Sequence, residues 1–378
     1  MGLPDLEKEL GELKAEHRLR ILPPIEEHQG PYVKIKGHWL LNLSSNDYLG
    51  LSERLSLPEI IKEQGLDGFG AGAARLLSGN HVLYQALEEK LSALYGKAAL
   101  VFSSGYHANI GVIPALCGKK DLVFADKLVH ASIIDALRLT HAKFFRFPHQ
   151  DLDTLERLLR KYRGQFRRAV IVTESLFSMD GDLSPLEDLV ALKERYHAFL
   201  VLDEAHAIGV YGKRGLGVSE EKELIPKVDL IVGTFGKALG SYGAFVIAEK
   251  AIISLLVNKA RSFIFTTALP QVIVAANLKA LDLLPKLEKE RLKLKALTQR
   301  FRKELGLDGD SPIVPIVVGE NEKALFLAQE LFKKGYYVPA IRPPTVPEGT
   351  ARLRVSLRAD ITWDGLGPLV AMIKDYAL

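Results

Sequence analysis

The feature that most constrains this chain is a series of short, almost unbroken apolar runs. They are Ala98–Phe102, Leu122–Ala125, Ala169–Thr173, Phe199–Leu202, Leu230–Gly233 and Ala244–Ile247. Runs that lack polar alternation are what strands become when helices cover both faces of their sheet. Helical stretches separate most of them, which predicts an α/β architecture with a mainly parallel central sheet. In such open sheets ligands bind beyond the carboxyl ends of the strands, so the residues following each run are the candidate site.

The first run leads into Ser104-Gly105-Tyr106 at a helix start, where small residues and free backbone N–H groups suit an anion; an ordinary helix cap is the alternative. The second leads to His130, which could present an aromatic face to a flat ligand or simply begin a helix. The third leads to Glu174 and then to Phe177-Ser178-Met-Asp-Gly-Asp182, a polar turn with an available hydroxyl. The fourth delivers Asp203-Glu204-Ala205-His206. An acid at the end of a buried strand needs a partner, and a cationic ring nitrogen would serve. Asp203 and His206 could also ligate a metal, but no third ligand accompanies them at metal spacing. The fifth leads to Thr234 and Lys237 in a glycine-rich turn. An ordinary lysine titrates near ~10.4, yet one desolvated at a strand end can become a nucleophile of the Schiff-base kind. Taken alone, Lys237 reads first as a turn lysine. Together, the strand ends offer a phosphate cradle, a stacking imidazole, an acid and a lysine, the groups that pyridoxal phosphate requires. No G-x-x-x-x-G-K-[ST] and no G-x-G-x-x-G after the first strand is present, so neither a P-loop nor a dinucleotide site is supported.

Around this sheet, Leu3, Leu6, Leu10 and Leu13 recur at helical spacing and predict an amphipathic helix ending near Leu22-Pro23-Pro24, with Arg18 and Arg20 in its last turn. Tyr32–Lys36 and Trp39–Leu43 read as strands. A helix is expected from Asn80 to Gly96, and a long helical region over roughly 270–305. Beyond it, Ile313–Val318, Tyr337–Ile341 and Leu353–Leu357 alternate with helices as a smaller α+β unit. The expected divisions are residues 1–45 as an N-terminal helix and arm, 46–275 as a large cofactor domain and 276–378 as a small domain. A chain of 378 residues is long enough for such an arrangement.

A net charge of +4, with both signs mixed, does not suit a nucleic-acid protein. No apolar run approaches a membrane span, and no basic-then-apolar leader is present. The single cysteine, Cys117, sits in an apolar run and reads as a buried structural thiol; together these features predict a cytoplasmic protein.

Several stretches carry a family likeness: Ser44-Ser-Asn-Asp-Tyr-Leu-Gly-Leu51, Ser78-Gly79 before His81, Tyr84-Gln-Ala-Leu-Glu-Glu, His130-Ala-Ser, Phe177-Ser-Met-Asp-Gly-Asp182, Asp203-Glu-Ala-His206, Thr234-Phe-Gly-Lys237 and Ala340-Ile-Arg-Pro-Pro-Thr-Val-Pro-Glu-Gly-Thr-Ala-Arg-Leu-Arg354. Over nearly its whole length the chain resembles the α-oxoamine synthases, pyridoxal-phosphate enzymes of the aspartate-aminotransferase fold (fold type I). The Ile341–Pro347 stretch is similar to the branch that makes 8-amino-7-oxononanoate for biotin.

The resemblance implies that Lys237 holds the cofactor aldehyde and shuttles the α-proton, that Asp203 pairs with the ring nitrogen, and that His130 stacks on the ring. It places Ser178 and His206 near the ring hydroxyl. Ser104, Gly105, Tyr106 and Thr234 would hold the phosphate with Thr266 of a second subunit, so a homodimer is implied. Arg20, Asn46, His130, Arg342, Thr345 and Arg354 would contact substrate, with Arg354 on the amino-acid carboxylate because its planar fork suits that group. The implied partners are L-alanine and a pimeloyl thioester of coenzyme A or acyl-carrier protein, and no metal is implied. Glycine C-acetyltransferase is the alternative activity. A non-catalytic partner subunit would need none of Lys237, Asp203, His130 and His206.

Overall fold

The structure is a computed structural model and describes residues 6–377; Leu3, the first member of the expected helical stripe, lies outside them. The chain forms two compact units. The larger comprises Leu51–Ser178 and Asp182–Arg291, and the smaller holds the remaining described residues, including Met179–Gly181.

The larger unit is built on a seven-stranded sheet. Its strands are β1 (Ala98–Phe102), β2 (Asp121–Asp126), β3 (Lys143–Phe147), β4 (Arg168–Glu174), β5 (Phe199–Asp203), β6 (Leu230–Thr234) and β7 (Ala244–Ala248), in the order β1-β7-β6-β5-β4-β2-β3. The pairs β2/β3, β2/β4, β4/β5 and β5/β6 are parallel, and only β7 runs against its neighbours β6 and β1. The strands β6 and β7 are buried along their whole length, because helices pack on both faces. One core gathers Leu100, Val123, Val172, Val201, Val232 and Val246 from the sheet with Val112 and Ile133 from helices. Cys117 is buried in the same core, and that burial pushes its thiol up to about 12. No helix among the described residues is long and apolar enough to cross a membrane.

The parallel register sets the site. Glu174 pairs with Asp203 across β4 and β5, and Asp203 pairs with Val232 across β5 and β6. Carboxyl ends that carry chemistry therefore line up along one edge of the sheet. The turn after β6 closes through the amide of Gly240 donating to the Lys237 carbonyl at 2.8 Å. Gly240 has φ +62°, and a Cβ there would fall 2.2 Å from the amide nitrogen of Ser52, so only glycine fits.

The sequence expectations need four corrections. Strand β3 was not anticipated: Lys143 and Arg146 interrupt its apolar character because it is an edge strand with one mostly exposed side. The first helix (Leu6–Ala15) stops well before Leu22. His17 adopts φ +55°, and the amides of Arg18 and Leu19 fold back on the Leu13 carbonyl, a left-handed helix stop. Arg18 and Arg20 therefore follow the helix instead of sitting in its last turn. The long helical region is two helices, Gln271–Leu283 and Glu288–Glu304, divided by the turn Leu284–Lys286 that contains Pro285. The expected strand over 337–341 is two short pieces, Tyr336–Tyr337 and Ala340–Ile341, in different sheets.

The smaller unit holds those two sheets. Ile313–Gly319 pairs antiparallel with Ala351–Ser356, which also pairs with Ala340–Ile341. Glu27–Gln29, Tyr32–Ile35, His38–Asn42 and Tyr336–Tyr337 form the other.

Candidate active site

In the larger unit, β1 ends one turn before helix α1 (Gly105–Leu116). Ser104 caps this helix: its hydroxyl accepts from the His107 amide at 3.2 Å and lies 2.8 Å from His107 Nδ1. The amides of Gly105 and Tyr106 belong to the first turn and have no acceptor within the helix. A Cβ built on Gly105 would meet no atom within 4 Å, so the helix start is open on that side. The Tyr106 hydroxyl bonds to Asp135, whose carboxylate raises its pKa; the phenol is engaged there. Thr234 ends β6, its hydroxyl donating to the Gly243 carbonyl at 2.9 Å and accepting from the Gly236 amide at 3.1 Å. Thr266 is half-buried and lines a small cavity beside Ser103.

His130 follows β2 and caps helix α2 (Ala131–Leu139), its Nδ1 accepting from the Ser132 amide at 3.2 Å. Its own amide donates to Glu174 Oε1 at 2.5 Å. A continuous chain of hydrogen bonds joins this imidazole to the acid of β5. His130 Nδ1 lies 2.8 Å from Ser132 Oγ, Asn109 Nδ2 donates to Ser132 Oγ at 3.0 Å, and the same Nδ2 donates to Asp203 Oδ2 at 2.8 Å. Asp203 Oδ1 accepts from the Ala205 amide at 2.9 Å. Asn109 was not singled out from the sequence. Its signal was there: one amide in an otherwise apolar stretch of α1, and it proves to be 2% exposed.

Electrostatics group the same residues. Burial lowers the pKa of His130, with Asp203 opposing and Lys237 reinforcing the shift. Burial also drives Glu174 well above the usual carboxylate range; Asp203 adds to that shift, and Lys237 and the His130 amide oppose it. Asp203, His130, Glu174 and Lys237 thus lie within reach of one another's charge. Ser178 and His206 are buried beyond β4 and β5, and Lys237 is half-buried beyond β6. Glu204, next to Asp203, has a structural role instead: it is fully buried and accepts from Ser175 Oγ and from the amides of Val218 and Ser219.

The smaller unit holds the other expected residues in two groups. Arg354 is 4% exposed and donates to Ser356 Oγ at 2.7 Å and to Asn46 Oδ1 at 3.1 Å. Arg20 donates to Thr345 Oγ1 at 3.1 Å, and the Thr345 amide bonds to the Arg342 carbonyl at 3.1 Å. Arg342 is buried against the His17 carbonyl, and both burial and the neighbouring Arg20 lower its pKa. Two cations this close favour an anion between them.

The larger unit's residues fit pyridoxal phosphate. The open first turn at Gly105 suits its phosphate. The Asp203 carboxylate receives two N–H bonds, about half of its accepting capacity, which leaves room for a cationic ring nitrogen.

Comparison with known proteins agrees. The family model "Aminotransferase class I and II" matches residues 39–373. An 8-amino-7-oxononanoate synthase of Haemophilus ducreyi is 47% identical over 383 residues, covering 97% of this chain and 99% of its own. The synthase of that name from Chlorobaculum parvum is 44% identical over 97% of each chain. Among solved structures, a serine palmitoyltransferase from S. paucimobilis with bound PLP and myriocin superposes with a TM-score of 0.91 at 30% identity, over 99% of this chain and 96% of that one. An 8-amino-7-oxononanoate synthase from Francisella tularensis gives 0.75 at 30% identity, over 89% and 97%. The chain therefore belongs to the class I and II aminotransferase family and, within it, to the α-oxoamine synthases, acyl-transferring enzymes that use pyridoxal phosphate.

Proposed function

We propose that this enzyme condenses L-alanine with a pimeloyl thioester, giving 8-amino-7-oxononanoate, CO2 and the free thiol, as a step in making biotin. A carbon–carbon bond forms between the alanine α-carbon and the thioester carbonyl; the C–S bond and the bond to the alanine carboxylate break. The observation that carries the reading is the arrangement of Asp203, Asn109, Ser132 and His130 beside Lys237. Identities of 44–47% to synthases of that name over nearly the whole chain support the choice of substrates.

Pyridoxal phosphate supplies, when bound, an aldehyde that joins amines and a ring that accepts the electron pair left at the α-carbon. Lys237 Nζ would hold that aldehyde until alanine takes its place, and would then move the α-proton. The Asp203 carboxylate would keep the ring nitrogen protonated. His130 would supply an aromatic face, and Ser178 and His206 would hold the ring hydroxyl. The Ser104–Tyr106 turn and Thr234 would bind the phosphate, with Thr266 contributed by a second copy. Arg354, beside Asn46, would bind the alanine carboxylate. Arg20, Arg342 and Thr345 would bind the acyl substrate, whose pimeloyl chain ends in a carboxylate.

A homodimer fits the exposed apolar side chains of the larger unit. Phe69 is 92%, Leu77 80% and Phe265 70% exposed, more open apolar surface than a monomer ordinarily carries. A single buried cysteine supports a cytoplasmic setting.

The test is a panel of alanine, glycine and serine against pimeloyl, acetyl and palmitoyl thioesters, followed by product mass. Alanine with a pimeloyl donor should turn over fastest. Preference for glycine with acetyl-CoA would replace this reading with glycine C-acetyltransferase.

A further inference from the structure

One cluster beside the site has no part in the chemistry above. His149 follows β3 and is faced by two carboxylates, one on each ring nitrogen. Nδ1 lies 3.0 Å from Asp126 Oδ1, and Nε2 lies 2.7 Å from Asp182 Oδ2. A neutral imidazole has one donor and one acceptor, so two carboxylate partners are satisfied only by the doubly protonated ring. The ring also meets Phe177 edge-on, with centroids 4.4 Å apart and planes at 89°.

The two acids belong to the two segments that carry site residues. Asp126 ends β2, and its Oδ1 accepts from the Leu128 amide at 2.8 Å, fixing the path to His130. Asp182 closes the turn that holds Ser178, its carbonyl accepting from the Phe177 amide at 3.0 Å. The base of that turn is closed by a bridge between Leu176 and Leu183. Gln150, next to His149, has φ +54°, a conformation that non-glycine residues rarely adopt. It is held there by its amide donating to Asp126 Oδ2 at 2.8 Å and by its side chain bonding to Asp182 and to the Leu183 carbonyl. Backbone strain maintained by bonds to the same two acids shows that the cluster over-determines this corner.

We propose that His149 is a positioning residue for the cofactor site: an imidazolium clamp that locks the segment carrying His130 to the turn carrying Ser178. Asp126 and Asp182 are the charged groups facing the ring. Burial works against the charge, but the two carboxylates outweigh it and raise the His149 pKa to about 10. The clamp thus stays charged throughout the neutral range. This inference rests on the roles proposed above for Ser178 and His130.

The first test is ring-nitrogen NMR of histidine-labelled holoenzyme at pH 8, which does not depend on any cofactor role. Both His149 nitrogens should carry protons, with a signal that disappears in His149→Gln; a single protonated nitrogen overturns the clamp. The second test is a double-mutant cycle of His149→Gln with Ser178→Ala, reading the dissociation constant of pyridoxal phosphate from apoenzyme. His149→Gln should weaken binding at least tenfold, and the Ser178→Ala effect should shrink several-fold in its background. A Ser178→Ala effect that persists undiminished beside His149→Gln refutes the inference and leaves the site assignment standing. A Ser178→Ala variant that binds like wild type refutes the assignment of Ser178 itself. Should His149→Gln not fold, Asp182→Asn removes only the more exposed arm. His149 should then lose its proton at lower pH, and cofactor affinity should fall between pH 7 and 9. A flat profile there overturns the proposal.

Discussion

Replacing Asp203 with asparagine keeps the shape of the side chain and removes its charge. Two of its interactions in the structure receive N–H groups, from Asn109 at 2.8 Å and from Ala205 at 2.9 Å. The new amide has one oxygen and one NH2, so at one of these contacts two donors meet. If the NH2 faces Asn109, that residue can turn its own carbonyl oxygen toward it. This oxygen is buried and has no partner in the structure, so the variant should fold, although Asn109 then gives up its bond to Ser132. The larger loss concerns the cofactor. A hydrogen bond to a charged group contributes about 1.5–3 kcal/mol, so losing that at the ring nitrogen weakens cofactor binding roughly 10- to 150-fold. Turnover should fall further, because the charge also favours the protonated ring on which the electron pair is stabilised. Without the Asp203 charge, His130 loses the larger of two carboxylates that raise its pKa, and Glu174 loses one that raises its own. The assay is titration of apoenzyme with pyridoxal phosphate, followed by absorbance, together with steady-state turnover. An Asp203→Asn enzyme with wild-type affinity and turnover would refute the ring-nitrogen role.

Other substitutions probe the residues around Asp203 and beyond. Asn109→Ala should destabilise the protein by about 1–3 kcal/mol in chemical denaturation, because it leaves buried Asp203 and Ser132 short of a donor, and it should also weaken cofactor binding. Arg354→Lys should raise the KM for alanine by tenfold or more while changing the KM for the acyl donor little, since lysine lacks the planar fork; equal effects on both would contradict the carboxylate role. Asp121 provides a pH test remote from the site. Burial works against its charge, but bonds from Arg167, Arg168 and the Gly118 amide outweigh it and hold the carboxyl well below the usual range. A depressed folded-state pKa contributes stability that is present above the unfolded value near ~3.9 and is lost as the pH falls through the folded one. Asp121→Asn should therefore be less stable than wild type at pH 7, and the difference should vanish in acid. His149 has the opposite sign. Its contribution is complete below about 6.5 and declines as pH rises toward its folded value of about 10, so the stability gap between wild type and His149→Gln should narrow from pH 6 to pH 10.

The strand ends were legible because the sheet is buried on both faces. Its strands read as plain apolar runs, and the first polar residue after each one marks the edge where ligands bind. This reading picked out Asp203 and Thr234 at the ends of β5 and β6, and His130 and Lys237 a few residues beyond β2 and β6. Asn109 was passed over because it lies inside a helix, away from any strand end, and only the fold brings it against Asp203. The His149 clamp was hidden for a related reason, since Asp126, His149 and Asp182 are distant in sequence and belong to the ends of three different strands or the turns beyond them. Strand β3 escaped because an edge position permits Lys143 and Arg146. The first helix was read too long because Leu22-Pro23-Pro24 offers a visible stop, whereas the actual stop is the left-handed His17, which no residue type announces.

The most direct measurement concerns Lys237. Borohydride reduction of the holoenzyme fixes the cofactor to the lysine that holds it, and peptide mass spectrometry then identifies that lysine. A pyridoxyl adduct is expected on the peptide containing Lys237, with its loss, along with the yellow absorbance, in Lys237→Ala. An adduct on another lysine, or normal turnover by Lys237→Ala, would contradict the role of Lys237.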